Sequence, residues 1–125
     1  MTEEELSYQI RSAIYEVYFE LGPGLLESCY EFALIKELEF RGLSVESQVK
    51  LPLTYKSYKW EDAFRLDIIV NQRIIIEIKS VEELSKVHHK QVLTYLKITG
   101  LRLGILVNFN TDFIKGSIHR KVNGY

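Results

Sequence analysis

From residue 3 to residue 20 the apolar side chains Leu6, Ile10, Ala13, Ile14, Val17 and Tyr18 return every three to four positions, with polar residues between them. That period predicts an amphipathic helix. Thr2 followed by Glu5 gives it a capping-box start. "GPG" at 22–24 must break it, because proline lacks an N–H and glycine opens unusual dihedrals. The period resumes from about Leu26 to Arg41, with Tyr30, Ala33, Leu34 and Leu38 on one face and Gly42 as the stop. The pattern then changes to period two. "LSVESQVKLPLTY", residues 43–55, alternates as an outer strand with Pro52 near its end. Residues 63–70 and 73–79 read as two central strands. "SVEE" is a loop that caps a third helix over about Leu84 to Thr99, stopped by Gly100. "RLGILVNF", 102–109, is nearly all apolar, as in a strand buried on both faces, and a short strand or extended tail follows Gly116. The order helix, helix, three strands, helix, strand, strand predicts an α/β sandwich with a mixed central β-sheet flanked by helices.

The 125 residues suit one domain, residues 1–125, with one core. A composition 46% hydrophobic and 26% charged is ordinary for a globular protein. The net charge of -1 supplies no overall field that would attract nucleic acid or an anionic membrane. A nucleic-acid partner would therefore have to be held by a local basic patch or through bound metal. Cys29 is the single cysteine, which excludes an intrachain disulfide and a cysteine-based metal site. Its place in an apolar helical stretch predicts a small core residue. No apolar run approaches the roughly 20 residues that span a bilayer. The acidic start "MTEEELSYQ" lacks the features of a signal peptide. The expected location is the cytoplasm, with no membrane partner.

Against this pattern Asp67, Glu77 and Lys79 stand out, because they interrupt the two central strands where a buried hairpin carries Val or Ile. Alternation puts Glu77 and Lys79 on one face, opposite Ile74, Ile76 and Ile78, and turns Asp67 away from Leu66, Ile68 and Val70. A two-residue turn at Asn71–Gln72 would pair Asp67 with Ile76 and set the charged faces at odds. A three-residue turn over 71–73 pairs Val70 with Ile74 and Asp67 with Glu77, and the apolar faces then agree. Asn71 tolerates the left-handed conformation such a turn needs. That pairing sets the two Cβ atoms about 5 Å apart. Two carboxylates so close repel, and Lys79 supplies one positive charge against two negative ones. A divalent cation balances them, and hard oxygen ligands suit Mg²⁺ or Mn²⁺. Lys79 is placed to activate or orient a water for in-line attack on phosphorus. The plainer alternative is a solvated sheet face bridged by Lys79.

Asp67, Glu77 and Lys79 resemble the D…(D/E)-x-K signature of the PD-(D/E)xK nuclease superfamily, whose fold is restriction-endonuclease-like. "GLLESCY", Gly24 to Tyr30, resembles the G-x-x-E-x-x-Y pattern of the GxxExxY family within it, and "QVLTYLK", Gln91 to Lys97, resembles the Q-x-x-x-Y helix motif of its exonuclease-like branch. Arg65 and Leu66 precede the aspartate, with no proline. The resemblance implies that Glu27, in the first turn of the second helix, faces the metal, through water or by holding a second ion. An ordinary helix-start glutamate is the alternative. Tyr30 shares that side of the helix and reads as core. Gln91 and Tyr95, neighbours at i and i+4, are implied to cover the active centre, Gln91 orienting water or the Lys79 region and Tyr95 contacting the substrate backbone. Gln91 also fits a solvent-exposed helix position. "KVHHK", 86–90, and "HRK", 119–121, are basic runs that suit phosphate contacts or a solvated surface. The combined expectation is a Mg²⁺-dependent (or Mn²⁺-dependent) nuclease acting on DNA in preference to RNA. Asp67, Glu77, the Ile78 carbonyl and Glu27 would be at the metal, and the chain would act as a homodimer. The alternative is a catalytically silent nucleic-acid- or protein-binding module on the same fold.

Overall fold

The structure is a computed structural model, and it describes residues 1–124. Two helices come first, α1 (Glu3–Leu21) and α2 (Glu27–Phe40). Three antiparallel strands follow: β1 (Val45–Tyr55), β2 (Tyr58–Val70) and β3 (Ile74–Lys79). Helix α3 (Lys86–Thr99) crosses over to β4 (Leu103–Asn108), which runs parallel to β3, and a 3-10 turn (Ile114–Ser117) leads into antiparallel β5 (Ile118–Val122). The strands lie in sequence order, β1-β2-β3-β4-β5. The mixed sheet expected from the alternation of periods is present.

Each face of the sheet has its own core. α1 and α2 cover Ile68, Val70, Ile74, Ile76, Ile78, Ile105 and Val107 through the stripe Leu6, Ile10, Ile14, Tyr30, Leu34 and Leu38. α3 covers Leu66, Ile69, Ile75 and Leu106 with Val92, Tyr95 and Leu96. All six residues of β4 are buried, because helices cover both its faces. Gly104 lets α3 approach β4 closely: a Cβ built there would sit 2.7 Å from Val92 Cγ1.

Several boundaries and faces differ from the pattern-based expectation. α3 starts at Lys86 rather than Leu84, with Ser85 as its N-cap residue, while Leu84 packs against the α3 core. β2 begins at Tyr58 rather than residue 63, since a two-residue turn at Lys56–Ser57 continues the pairing outward to Tyr55↔Tyr58. Pro52 sits at the register shift between Leu51 and Leu53 on the edge strand, where a missing N–H costs least. Cys29 is exposed, not core: the buried face of α2 is set by Tyr30, Leu34 and Leu38, and Cys29 lies about 100° round the helix from Tyr30. At Thr2 the capping box is partial: its hydroxyl oxygen accepts the Glu5 N–H at 3.1 Å, and the hydroxyl faces the Glu5 carboxylate.

Candidate active site

The three-residue turn decides where the carboxylates meet. Val70 pairs with Ile74, Ile69 with Ile75 and Ile68 with Ile76. Asn71 and Gln72 both take positive φ, 51° and 54°, so two residues rather than one adopt the left-handed conformation. The Asn71 side chain anchors the turn by accepting the Ser44 N–H at 2.8 Å. Counting on from Ile68↔Ile76 puts Asp67 opposite Glu77, and there the backbone ladder gives way to side chains. Glu77 Oε1 accepts the Asp67 N–H at 2.8 Å, and Asp67 Oδ2 accepts the Ile78 N–H at 2.8 Å. Each carboxylate thus satisfies a backbone donor of the other strand, and each keeps its second oxygen for another partner.

The neighbouring strand is irregular at the same level. Gln48 of β1, between the pairs Ser47↔Ile68 and Val49↔Leu66, has φ 52°. Across this point the side chains change faces: Val45 and Ile68 join the α1–α2 core, whereas Val49 and Leu66 join the α3 core. Leu66 therefore does not share a face with Ile68 and Val70, as strict alternation predicts. The switch leaves Asp67 at a parting in the sheet, open toward α2 as well as toward Glu77.

Charge accumulates at this parting. Glu77 is only 2% exposed. Burial first, and then repulsion from Asp67, pushes its carboxyl well above the ordinary range, against the pull of the Asp67 N–H and of Lys79. Burial also raises the Asp67 carboxyl. The Ile78 N–H opposes this, Glu31 adds to it, and Lys79 opposes it again. Two raised carboxyls, each held by a backbone N–H of the other strand, form a site short of positive charge.

Glu31 is the site residue that motif matching missed. It and Glu27 lie at i and i+4 on α2, and together with Ser28, Gln48 and Asp67 they line a cleft of about 150 Å³. Gln48 Nε2 donates to Glu31 Oε1 at 2.6 Å. The i,i+4 spacing from Glu27 was the available signal. Glu27 itself is the exposed first residue of α2, and its charge raises both carboxyls. Tyr30 fixes the approach to it. Its buried ring stacks on Phe109 with centroids 4.4 Å apart, and its hydroxyl donates to the Gly22 carbonyl at 2.6 Å and accepts the Leu25 N–H at 3.1 Å. Ser80, one residue past Lys79, donates through Oγ to the Leu25 carbonyl at 2.5 Å, which ties this loop to the end of β3.

From the other layer, Tyr95 is buried and Gln91 half-buried. Burial, then Glu77, then Asp67 push the Tyr95 hydroxyl up to about 12, with a hydrogen bond from the Gln91 side chain opposing. Tyr95 is therefore a neutral phenol near both carboxylates. The basic runs converge elsewhere: His89 and His119 have ring centroids 5.1 Å apart and line a cleft of about 300 Å³ with Glu82, Glu83 and Asn108. His88 Nδ1 accepts the Ser85 N–H at 3.0 Å, a capping role. Among the described residues no three His, Cys, Asp or Glu side chains form a metal-holding group. A cation between Asp67 and Glu77 would then draw its remaining ligands from backbone oxygen and water, which suits Mg²⁺.

This arrangement, a D…E-x-K set braced across two strands of a mixed sheet, agrees with what comparison finds. The sequence pattern of the PD-(D/E)XK nuclease superfamily matches residues 4–121. The chain belongs to that superfamily. Its five-stranded mixed sheet and three helices are the α/β arrangement of the restriction-endonuclease-like fold. The chain is also similar to a solved structure titled "Crystal structure of SSO0001", at 25% identity and a TM-score of 0.59. The match covers 78% of this chain and 50% of that one, so the chain spans about half its length. No curated protein matches the chain. Members of the PD-(D/E)XK superfamily are generally nucleases that use divalent metal ions. Among the described residues no helix is long and apolar enough to cross a membrane.

Proposed function

We propose that this PD-(D/E)XK protein is a divalent-metal-dependent nuclease that hydrolyses phosphodiester bonds in nucleic acid, DNA in preference to RNA. The observation that carries the proposal is the reciprocal bracing of Asp67 and Glu77, each holding the other strand's N–H at 2.8 Å while both carboxyls are raised. Asp67, Glu77 and the Ile78 carbonyl would hold Mg²⁺ or Mn²⁺, and Glu27 would reach it through water. When bound, the ion would neutralise the pair and polarise the phosphate. Lys79, close enough to act on both carboxyls, would stabilise charge that builds on the phosphate oxygens. Tyr95, protonated at neutral pH, is a hydrogen-bond donor for a substrate oxygen, and Gln91 orients it. Glu31, through Gln48, holds the α2 wall of the cleft.

The Tyr30 latch and the position of Glu27 support membership of the GxxExxY family, because they give the glutamate and the tyrosine of that pattern structural tasks. We further propose a single nuclease-like domain over residues 1–125, located in the cytoplasm. It would work as a homodimer, since a chain of this size offers little surface to grip a duplex.

The test is cleavage of labelled single- and double-stranded DNA and RNA in Mg²⁺ or Mn²⁺ by the wild-type protein, Asp67→Asn and Lys79→Ala. The expected result is metal-dependent cutting, reduced at least about 100-fold in both variants. No cutting, with no Mn²⁺ binding by calorimetry, would replace the nuclease with a binding module. Hydrolysis of nucleotides alone would point to a small-phosphoester hydrolase.

A further inference from the structure

The hairpin of β1 and β2 outgrows the sheet. β1 has 11 residues and β2 has 13, but β3 has only 6. The outer half of the hairpin therefore stands as a two-stranded arm with no third strand beside it. Its pairs are Leu53↔Trp60, Thr54↔Lys59 and Tyr55↔Tyr58. Opposed residues share a face, and so do residues two apart on one strand. Leu53, Tyr55, Tyr58 and Trp60 thus form one apolar face, while Thr54 and Lys59 lie on the other.

Those four side chains are 43%, 65%, 73% and 63% exposed. A hairpin needed only as a solvated turn would be polar on both faces, and exposed aromatics on one face mark a surface that something covers. Charge indicates what covers it. Residues 50–65 hold four basic side chains (Lys50, Lys56, Lys59 and Arg65) against two acidic ones in a chain whose net charge is -1. The acids are already engaged, Asp62 with Lys50 at 3.8 Å and Glu61 with Lys59 at 3.6 Å. Lys56, at the tip, lies over the Tyr55 ring at 5.5 Å. The arm is thus basic by two charges, with Lys56 and Arg65 outside these two ion pairs. Exposed rings with a cation beside them at the tip, and further basic side chains along the same hairpin, suit single-stranded nucleic acid, bases stacking on rings and phosphates meeting the charges. Four side chains fall short of the 20 to 30 residues a side of an ordinary protein interface, which argues against a second copy as the occupant.

The face also leads to the active centre. It continues inward to Leu51 and Phe64, which join the α3 core, and the Phe64 ring meets Tyr95 edge-on with centroids 5.9 Å apart. Tyr95 in turn senses Glu77 and Asp67. Asp67 lies nine positions along β2 from Tyr58, about 30 Å of strand. We propose that the arm binds single-stranded nucleic acid by stacking bases on Tyr55, Tyr58 and Trp60, and so holds a strand leading to or from the carboxylate pair. The direction of the strand, though not the stacking, rests on the nuclease proposal.

Trp60 is the only tryptophan in the sequence, so its emission reports this face. The full chain in chelator, where no metal supports cleavage, is titrated with a single-stranded oligonucleotide and with an abasic strand of equal length. The expected result is quenching of Trp60 emission by the base-bearing strand, a clearly weaker response to the abasic one, and an affinity about tenfold lower in Tyr58→Ala and in Tyr55→Ala. Both tyrosines are exposed, so neither change removes core packing. Unchanged emission, equal binding of the abasic strand, or self-association lost in Tyr58→Ala would each overturn the proposal. Quenching without any hydrolysis in metal would keep the arm and remove the nuclease, and hydrolysis without quenching would do the reverse.

Discussion

Asp67 and Glu77 replace two rungs of a β-ladder with carboxylates, and this has a cost at neutral pH. Both folded-state carboxyls are raised above their ordinary values of 3.8 and 4.5. A raised carboxyl favours the folded state while it is protonated. That contribution is complete below the ordinary values and is lost as pH rises through the elevated ones. Without divalent metal the protein is therefore expected to lose stability from about pH 5 to pH 8. Glu77→Gln, which keeps an oxygen to accept the Asp67 N–H, should remove much of the loss, with a gain on the order of 1–2 kcal/mol at pH 8 by urea denaturation. A variant as pH-sensitive as the wild type would contradict the charge imbalance. Asp67, Glu77 and Lys79 were legible in the sequence because they broke an alternating pattern and one turn length alone brought the acids together. Glu31 and Gln48 were not, since their part depends on a positive φ in β1 that no residue type announces.

At the scale of elements, the site is assembled by packing. α3 delivers Gln91 and Tyr95, and its distance from the sheet is set at Gly104, where an added Cβ would meet Val92 Cγ1 at 2.7 Å and Leu96 at 3.6 Å. Valine in a helix has little rotamer freedom with which to yield. Gly104→Ala is expected to destabilise by about 1–3 kcal/mol and to lower cleavage, and Val92→Ala in the same chain should restore part of both. Denaturation and rate assays on the single and double variants check this; additive losses would show that close approach is not the cause. Helices and central strands were readable because each buries one stripe or alternates over a core. The outer half of β2, residues 58–62, was not, because no core enforces a period there. Cys29 was misplaced because an apolar sequence neighbourhood does not fix which side of a helix faces inward.

Across the whole molecule, near-zero net charge conceals separated patches: a carboxylate cluster where the sheet parts, a basic and aromatic arm, and a histidine pair where α3 meets β5. The sheet order and its single parallel pair put the carboxylates where the layers of α2 and α3 both reach them. The most direct test of this design is anomalous diffraction from a crystal soaked in Mn²⁺ near neutral pH. A single strong peak bound by Asp67 and Glu77, close to the Ile78 carbonyl and lost in Asp67→Asn, is the expected result. No peak between the two carboxylates at saturating Mn²⁺, or the two acids turned apart, would contradict a metal-dependent centre in this fold.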